Sequence, residues 1–295
     1  MNKKVGIVVV TYNRLTLLKE VIDALRKQTY QDYQIIVINN GSTDATPEWL
    51  SEQGDIYTIT QDNLGGAGGF FTGMKYVAEN DFKYCWIMDD DVICDKDALK
   101  ELIIAINAKE NIGFVCSKVL GTDGSPMNTP IVDVDSRSPI TGYEDYFDLS
   151  DYNMVKVKRA TFVSVLFTSE MIRKNGLPYK EYFIWGDDSE YTIRLSSKYP
   201  CYVVLKSKVV HKRNIQKVIL FENEKDKKRL AFYVYKYRNE AFSLISRKER
   251  TRCSLVRHYV ISSIKLFIKG KFIHSHIMYQ AAKQLVSFNP QRYFV

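Results

Sequence analysis

The chain has 295 residues, 45% hydrophobic and 13% aromatic, which excludes a disordered polymer and allows one large core or a core with an appendage. Its formal charge of +8 is uneven: residues 225–295 hold 16 basic against three acidic side chains, a net of +13, leaving −5 for the first 224. A mildly acidic body with a strongly basic end predicts an anionic partner for that end, and no nucleic-acid fold signature accompanies the charge.

In chain order, "KVGIVVVTYN" begins as a β-branched run and ends in polar residues, as a buried parallel strand does. Leu15, Leu18, Val21, Ile22 and Leu25 then recur at helical spacing. "YQIIVINNGSTD" is a second strand ending in a polar loop, and Thr46 before Pro47 reads as a helix N-cap with proline at the first helical position. Residues 55–60 form a third strand candidate, residues 69–80 a helix with Phe70, Met74 and Val77 on one side, and "YCWIM" a fourth strand. Asp95 and Asp97 suit capping of the helix "ALKELIIAI". After "IGFVCSKVL" the pattern turns irregular over residues 121–158, which read as loops with short strands near the site. Residues 169–175 look like a short capped helix ending at Gly176. From about residue 222 the chain reads as helical, basic and tyrosine-rich, without repeats or low-complexity tracts.

Strands alternating with helices predict an α/β fold: a mostly parallel, doubly wound central sheet flanked by helices, followed by a basic C-terminal helical region. The division expected is 1–222 and 223–295. Ligands of such sheets collect outside the carboxyl ends of the strands. Thr11, Asn39, Asn40 and the aspartates of "CWIMDDDVI" all fall at such ends.

Two like charges about 4 Å apart repel by about 4 kcal/mol at surface-like screening. Asp89, Asp90 and Asp91 therefore call for a cation or for bulk water, and oxygen ligands suit Mg²⁺ or Mn²⁺. "DNLGGAGGFFTGM" has neither the GK[ST] ending of a P-loop nor a GxGxxG register after a strand; its glycines permit close approach to a ligand or tight packing before a helix. In "YFIWGDDSEYTIR", Trp185 beside Asp187, Asp188 and Glu190 suits a sugar, whose C–H face stacks while a carboxylate removes a hydroxyl proton. The same acids also suit a helix N-terminus. His211, alone after "SKVV", reads by itself as structural, and His258, His274 and His276 as surface or interfacial.

Five scattered cysteines without a CxxC pair predict reduced thiols in a cytosolic protein, with Cys85 and Cys116 in the core. "MNKKVGIVVVTYN" lacks the apolar length and cleavage site of a signal peptide, and no stretch has the roughly 20 apolar residues of a membrane span.

Taken in order, "VVVTYNR", "VINNGSTDAT", "NLGGAGG", "WIMDDDV", "WGDDSEY" and the later His211 resemble a family 2 glycosyltransferase of the GT-A fold, over roughly residues 4–240. The resemblance implies residue roles. Thr11, Tyr12 and Arg14 would line the nucleotide pocket, and Asn40 would stand where such enzymes often place an aspartate against the pyrimidine. Asn63 and the Gly65–Gly69 loop, with Gly66, would approach the donor. Asp89, Asp91 and His211 would hold Mn²⁺ or Mg²⁺ against the diphosphate, and Asp90 would face the donor sugar. Asp188 would be the catalytic base, with Asp187 and Trp185 positioning the acceptor. "NLGGAGGFFTGM" with "WGDDSEY" looks most like bacterial galactofuranosyltransferases using UDP-galactofuranose; rhamnosyltransferases using dTDP-rhamnose share much of the pattern, including a late segment like "YKYRN".

The resemblance further implies an inverting, metal-dependent transfer onto a lipid-linked cell-surface polysaccharide at the inner face of the membrane. "LVRHYVISSIKLFIKGKFIHSHIMY" has the composition of an interfacial segment, and equally of a helical subdomain with a solvated basic face or a homodimer contact. Two other functions fit parts of the pattern: a catalytically silent nucleotide-binding scaffold, which would lack the aspartates present here, and a nucleotidyltransferase, which would carry a different nucleotide-binding loop.

Overall fold

The computed structural model describes residues 3–213 and 219–295. The first third alternates strands and helices: β1 (Val5–Thr11), α1 (Leu15–Arg26), β2 (Tyr33–Asn39), α2 (Thr46–Ser51), β3 (Ile56–Thr60), α3 (Gly65–Glu79) and β4 (Tyr84–Asp89). Then come β5 (Val92–Cys94), α4 (Ala98–Ile106), β6 (Val115–Leu120), β7 (Ile131–Val132), β8 (Met154–Arg159) and β9 (Val165–Thr168). The chain continues through α5 (Ser169–Asn175), α6 (Asp187–Ser196) and β10 (Tyr202–His211). It ends in α7 (Lys227–Ser246), α8 (Arg252–Ile268) and α9 (Phe272–Ser287).

Among the described residues the strands form one ten-stranded sheet in the order β3-β2-β1-β4-β9-β6-β10-β8-β7, with β5 paired to β10. The long pairings β1–β2, β1–β4, β2–β3 and β6–β10 are parallel. Antiparallel β9 is inserted between β4 and β6. Alternation along β1 explains the two packed faces. Val5, Ile7 and Val9 meet Leu18, Val21 and Leu25 of α1 and Leu99 and Leu102 of α4. Val8 and Val10 meet Phe70, Met74 and Val77 of α3, with Ile172 and Tyr191 from α5 and α6. Burial on both faces is why these strands read as continuous apolar runs.

Three local expectations are corrected. The glycine stretch is not a loop before a helix at residue 69: α3 begins at Gly65, so Gly66, Gly68 and Gly69 are helical. A Cβ at Gly69 or Gly73 would come within 2.3 or 2.2 Å of a methyl of Val10 or Val8, so these glycines let α3 lie directly on β1. Asp97 occupies the N-cap position of α4 without capping it; its carboxylate accepts from Thr29 Oγ1 (2.7 Å), and Gln28 Oε1 takes the Leu99 N–H (3.0 Å). Thr46 is the first residue of α2 rather than its cap, and Asp44 accepts its N–H at 3.0 Å.

Helices α7–α9 form a core of Ala241, Phe242, Leu255, Tyr259, Met278 and Leu285, shared with Ala67, Tyr179 and Tyr182 of the body. The C-terminal residues return to the sheet side: Tyr293 O accepts from Leu177 N (2.8 Å) and the Tyr293 ring packs on Phe71. Cys85, Cys94, Cys116 and Cys201 are buried free thiols, and Cys253 is exposed. No helix among the described residues is long and apolar enough to cross a membrane.

Candidate active site

The carboxyl ends of β1, β4 and β10 converge on the aspartates. Parallel pairing sets Val10 opposite Asp89, and antiparallel pairing of β5 with β10 sets His211 opposite Val92. The second pairing brings His211 across some 120 residues of chain to Asp91, its Nε2 lying 3.0 Å from Asp91 Oδ1. The backbone locks this corner, because Lys212 N donates to Asp91 O at 2.8 Å.

Arg14 provides a fixed cation, Nη1 donating to Asp91 Oδ2 (2.9 Å) and Asp90 Oδ1 (3.3 Å), while Thr11 Oγ1 donates to Asp90 Oδ2 (2.7 Å). One arginine does not balance three adjacent acids, two of them buried (Asp90 and Asp91) and one half-buried (Asp89), and the carboxyl groups respond differently. Burial pushes Asp89 well above the usual carboxylate range, helped by Asp91, Asp90 and Asp187. Burial also lifts Asp90, to about 6, against the pull of Arg14 and Thr11. Asp91 feels the same burial, but His211 and Arg14 outweigh it and hold it below the ordinary value.

Oxygen and nitrogen atoms of Asp89, Asp91 and His211 lie within 4.8 Å of one another, a set that fits a divalent cation. Two further features test the fit. Asp91 Oδ1 is buried, and its close neighbour is His211 Nε2 at 3.0 Å, which bonds to it only if that nitrogen carries a proton. Asn128 Oδ1 lies 2.9 Å from His211 Nδ1, and since an amide oxygen can only accept, Nδ1 carries a proton there. Nε2 is then left to face Asp91 Oδ1, where a proton or a metal ion must separate the two lone pairs. An imidazole whose second nitrogen donates to an amide oxygen is the usual arrangement of a metal-ligating histidine. The residues present fit the group.

The second acidic cluster opens α6. Before it, Phe183, Trp185 and Gly186 all have left-handed backbone, φ +62°, +62° and +96°. Buried Asn239 of α7 holds this turn: its Nδ2 donates to the carbonyls of Tyr182 (2.9 Å), Ile184 (3.2 Å) and Trp185 (2.8 Å), and its Oδ1 accepts from Arg238 Nε (3.1 Å) and Nη2 (2.9 Å). Burial, then Asp188, pushes the Asp187 carboxyl up to about 8. Burial raises Asp188 too, against the backbone and hydroxyl of Ser189. Glu190 is committed elsewhere, in a buried bidentate pair with Arg194 (3.0 and 2.8 Å).

A cleft of about 360 Å³ gathers Arg14, Gly66, Asp89, Asp90, Asp91, Trp185, Asp187, Asp188 and His211. Thr11 joins through Asp90. Tyr12, Asn40, Asn63 and Gly65 do not line it. Tyr12 is exposed, whereas Asn40 is buried with its amide engaged by Gly65 O (2.8 Å), Gln61 Nε2 (2.8 Å) and Leu64 N (3.3 Å). Asn63 accepts from Gly65 N at 2.9 Å. Gly65 itself has φ +70°, with Phe183 O where a Cβ would stand. A second cavity of about 530 Å³ shares Trp185 and Arg213 with the first and is lined also by Arg159, Arg229, Lys236 and Arg247, against Glu190 and Glu240, which leaves it basic on balance. Sequence reasoning missed Asn128, Asn239 and this basic lining. "YKYRN" contained a signal for Asn239, and nothing local marked Asn128.

A cluster that could hold a metal ion at the carboxyl edge of a largely parallel sheet, faced by a carboxylate pair and a tryptophan, fits the GT-A type of fold. The chain belongs to glycosyl transferase family 2, whose model matches residues 6–154. It is 27% identical to galactofuranosyltransferase GlfT1 of Mycobacterium tuberculosis over 204 residues, 66% of this chain and 65% of that one, so the match spans just under two thirds of the relative. It is 28% identical to O-antigen chain rhamnosyltransferase RfbN of Salmonella typhimurium over 42% of this chain and 40% of the relative. Mannosyltransferase PcManGT of Pyrobaculum calidifontis, solved with GDP-Man and Mn²⁺, shares the fold with a TM-score of 0.56 at 12% identity, over 97% of this chain and 88% of that one.

Proposed function

We propose that the chain transfers galactofuranose from UDP-galactofuranose, with inversion, onto a lipid-linked cell-surface polysaccharide at the inner face of the membrane. The observation that carries the reading is the meeting of the Asp89–Asp91–His211 cluster with Asp188 and Trp185 in one cleft. Asp188 removes the proton of an acceptor hydroxyl, whose oxygen attacks the anomeric carbon as the bond from that carbon to the diphosphate breaks. Asp89, Asp91 and His211 would hold Mn²⁺ or Mg²⁺, which supplies Lewis-acid stabilisation of charge on the leaving diphosphate. Arg14 keeps Asp90 and Asp91 oriented, and Asp90 is assigned to the donor-sugar side. Trp185, with Asp187 beside it, offers an apolar wall for the acceptor ring. Tyr12, Asn40, Asn63 and the start of α3 belong to the donor side, Asn40 and Asn63 acting through the Gln61–Gly65 backbone they tie down.

The acceptor side is the larger cavity beyond Trp185. Its basic lining favours an acceptor bearing a phosphate or diphosphate, as a lipid-linked glycan does. Likeness to a galactofuranosyltransferase over two thirds of the chain favours galactofuranose; the shorter likeness to a rhamnosyltransferase keeps dTDP-rhamnose as the second reading.

Calorimetry of UDP and dTDP binding, each with Mn²⁺ and with EDTA, tests this. Metal-dependent binding that favours UDP is expected. Preference for dTDP would move the donor to rhamnose and leave the residue roles in place. Binding of neither would overturn the site.

A further inference from the structure

The last two helices form a hairpin whose tip is apolar on the outside. Helix α8 buries Leu255, Tyr259 and Leu266. Its other side carries Ile261, Ile264, Phe267 and Ile268, exposed by 41, 54, 60 and 79%. After the turn at Gly270, α9 starts with Phe272 and Ile273, exposed by 61 and 57%. The rings of Phe267 and Phe272 meet across the turn with centroids 5.2 Å apart. Exposed apolar side chains thus cluster at the tip, a feature of the kind that marks a contact surface.

The hairpin is rigid beneath its tip. Ser263 and Ser275 each donate a hydroxyl to the other's carbonyl at 2.8 Å, which holds the two helices close. One turn along α9 from exposed Ile273, Ile277 is buried with Leu230 and Tyr233, and Trp185 packs against that cluster. Four helical residues rise about 6 Å, so the apolar tip stands close to the layer that supports the acceptor wall.

Charge selects the occupant. Residues 250–295 contain eight basic side chains and no acidic one. At the tip itself Lys269 and Lys271 share Glu222 at 3.9 and 3.2 Å, and Lys265 has no ion-pair partner among the described residues. A second copy of this surface would set like charges against like. An anionic lipid surface would neutralise them while its acyl boundary takes up the Ile and Phe side chains.

We propose that the α8–α9 tip (Ile264, Phe267, Ile268, Phe272 and Ile273, with Lys265, Lys269 and Lys271) inserts into the interface of an anionic bilayer. The tip thereby holds the acceptor cavity next to the surface from which a lipid-linked substrate is presented. The purpose of the contact rests on the proposed acceptor; the contact itself does not.

The test is sedimentation of the full chain with vesicles of phosphatidylcholine, with and without 30 mol% phosphatidylglycerol. Binding to the anionic vesicles is expected, with at least tenfold weaker binding to the neutral ones. The double variant Ile268→Ser/Phe272→Ser should lose at least tenfold in partition, and Lys265→Glu/Lys269→Glu at least as much on anionic vesicles. All four positions are exposed, so folding is checked by UDP binding with Mn²⁺, which should match the parent chain. Parent-like vesicle binding by the apolar variant, or no preference for anionic lipid, overturns the proposal. So does analytical ultracentrifugation showing a dimer that Ile268→Ser/Phe272→Ser dissociates, since the patch would then cover a second copy. Vesicle binding without any UDP binding would sink the active-site reading and leave this one standing.

Discussion

Replacing Asn239 by alanine separates a turn held by tertiary contacts from one that is locally stable. Asn239 is fully buried, and its Nδ2 bridges three carbonyls of the turn that presents Trp185, Asp187 and Asp188. Tyr182 O keeps the Ile184 N–H as a partner after truncation, whereas the Ile184 and Trp185 carbonyls lose the asparagine. At about 1 kcal/mol for each part-buried carbonyl, plus about 1 kcal/mol for the acceptor taken from Arg238, the loss is about 3 kcal/mol. For a chain of this size that corresponds to a fall of about 5 °C in Tm. The left-handed Phe183 and Trp185 backbone would relax as well, because such conformations persist only where surroundings impose them. A shift of about 1 Å in Asp188 costs on the order of 100-fold in turnover. Thermal unfolding and UDP release in the presence of acceptor measure the two effects. Asn239→Asp retains an acceptor for Arg238 but cannot donate to the carbonyls, so it should fall with Asn239→Ala. A Tm within 1 °C of the parent and undiminished turnover for both variants would refute the reasoning.

Asp188→Asn should abolish transfer and leave metal-dependent UDP binding nearly unchanged; surviving turnover removes Asp188 as the base. Asp91→Ala should weaken UDP binding in Mn²⁺ to about the level seen in EDTA, and equal affinity in the two buffers would count against the metal assignment. Asn128→Ala frees the His211 ring and should lower Mn²⁺ affinity by about 10- to 100-fold, measured by calorimetry. Because burial and its neighbouring carboxylates hold Asp89 above the usual range, protons compete with the ion for it more than for an exposed carboxylate, so Mn²⁺ affinity should rise with pH and binding should release protons. Calorimetry in buffers of different ionisation enthalpy reads that release, and zero release would contradict it. Gly73→Ala would press a methyl into Val8 and lift α3 from β1, at a cost of about 1 to 3 kcal/mol by denaturant unfolding.

Much of the framework is written locally. Apolar runs ending in polar residues marked β1, β2 and β4, and the 3.6-residue recurrence in α1 and the cap and Gly176 of α5 marked helices, because strand and helix periodicities need no distant partner. The same logic put Asp89, Asp90 and Asp91 at the ligand edge of the sheet, and the ordered motifs pointed to the glycosyltransferase family. Four features depended on residues far apart in sequence. His211 reaches Asp91 because β10 pairs antiparallel with β5. Strand β9 enters between β4 and β6, a choice of neighbour that its four residues do not encode alone. Gly69 and Gly73 face Val10 and Val8, which leave no room for a side chain beneath α3, so a composition that locally favours a loop yields to close packing. Trp185 and Asp188 owe their presentation to Asn239, more than 50 residues on, whose amide satisfies carbonyls that the turn cannot satisfy within itself.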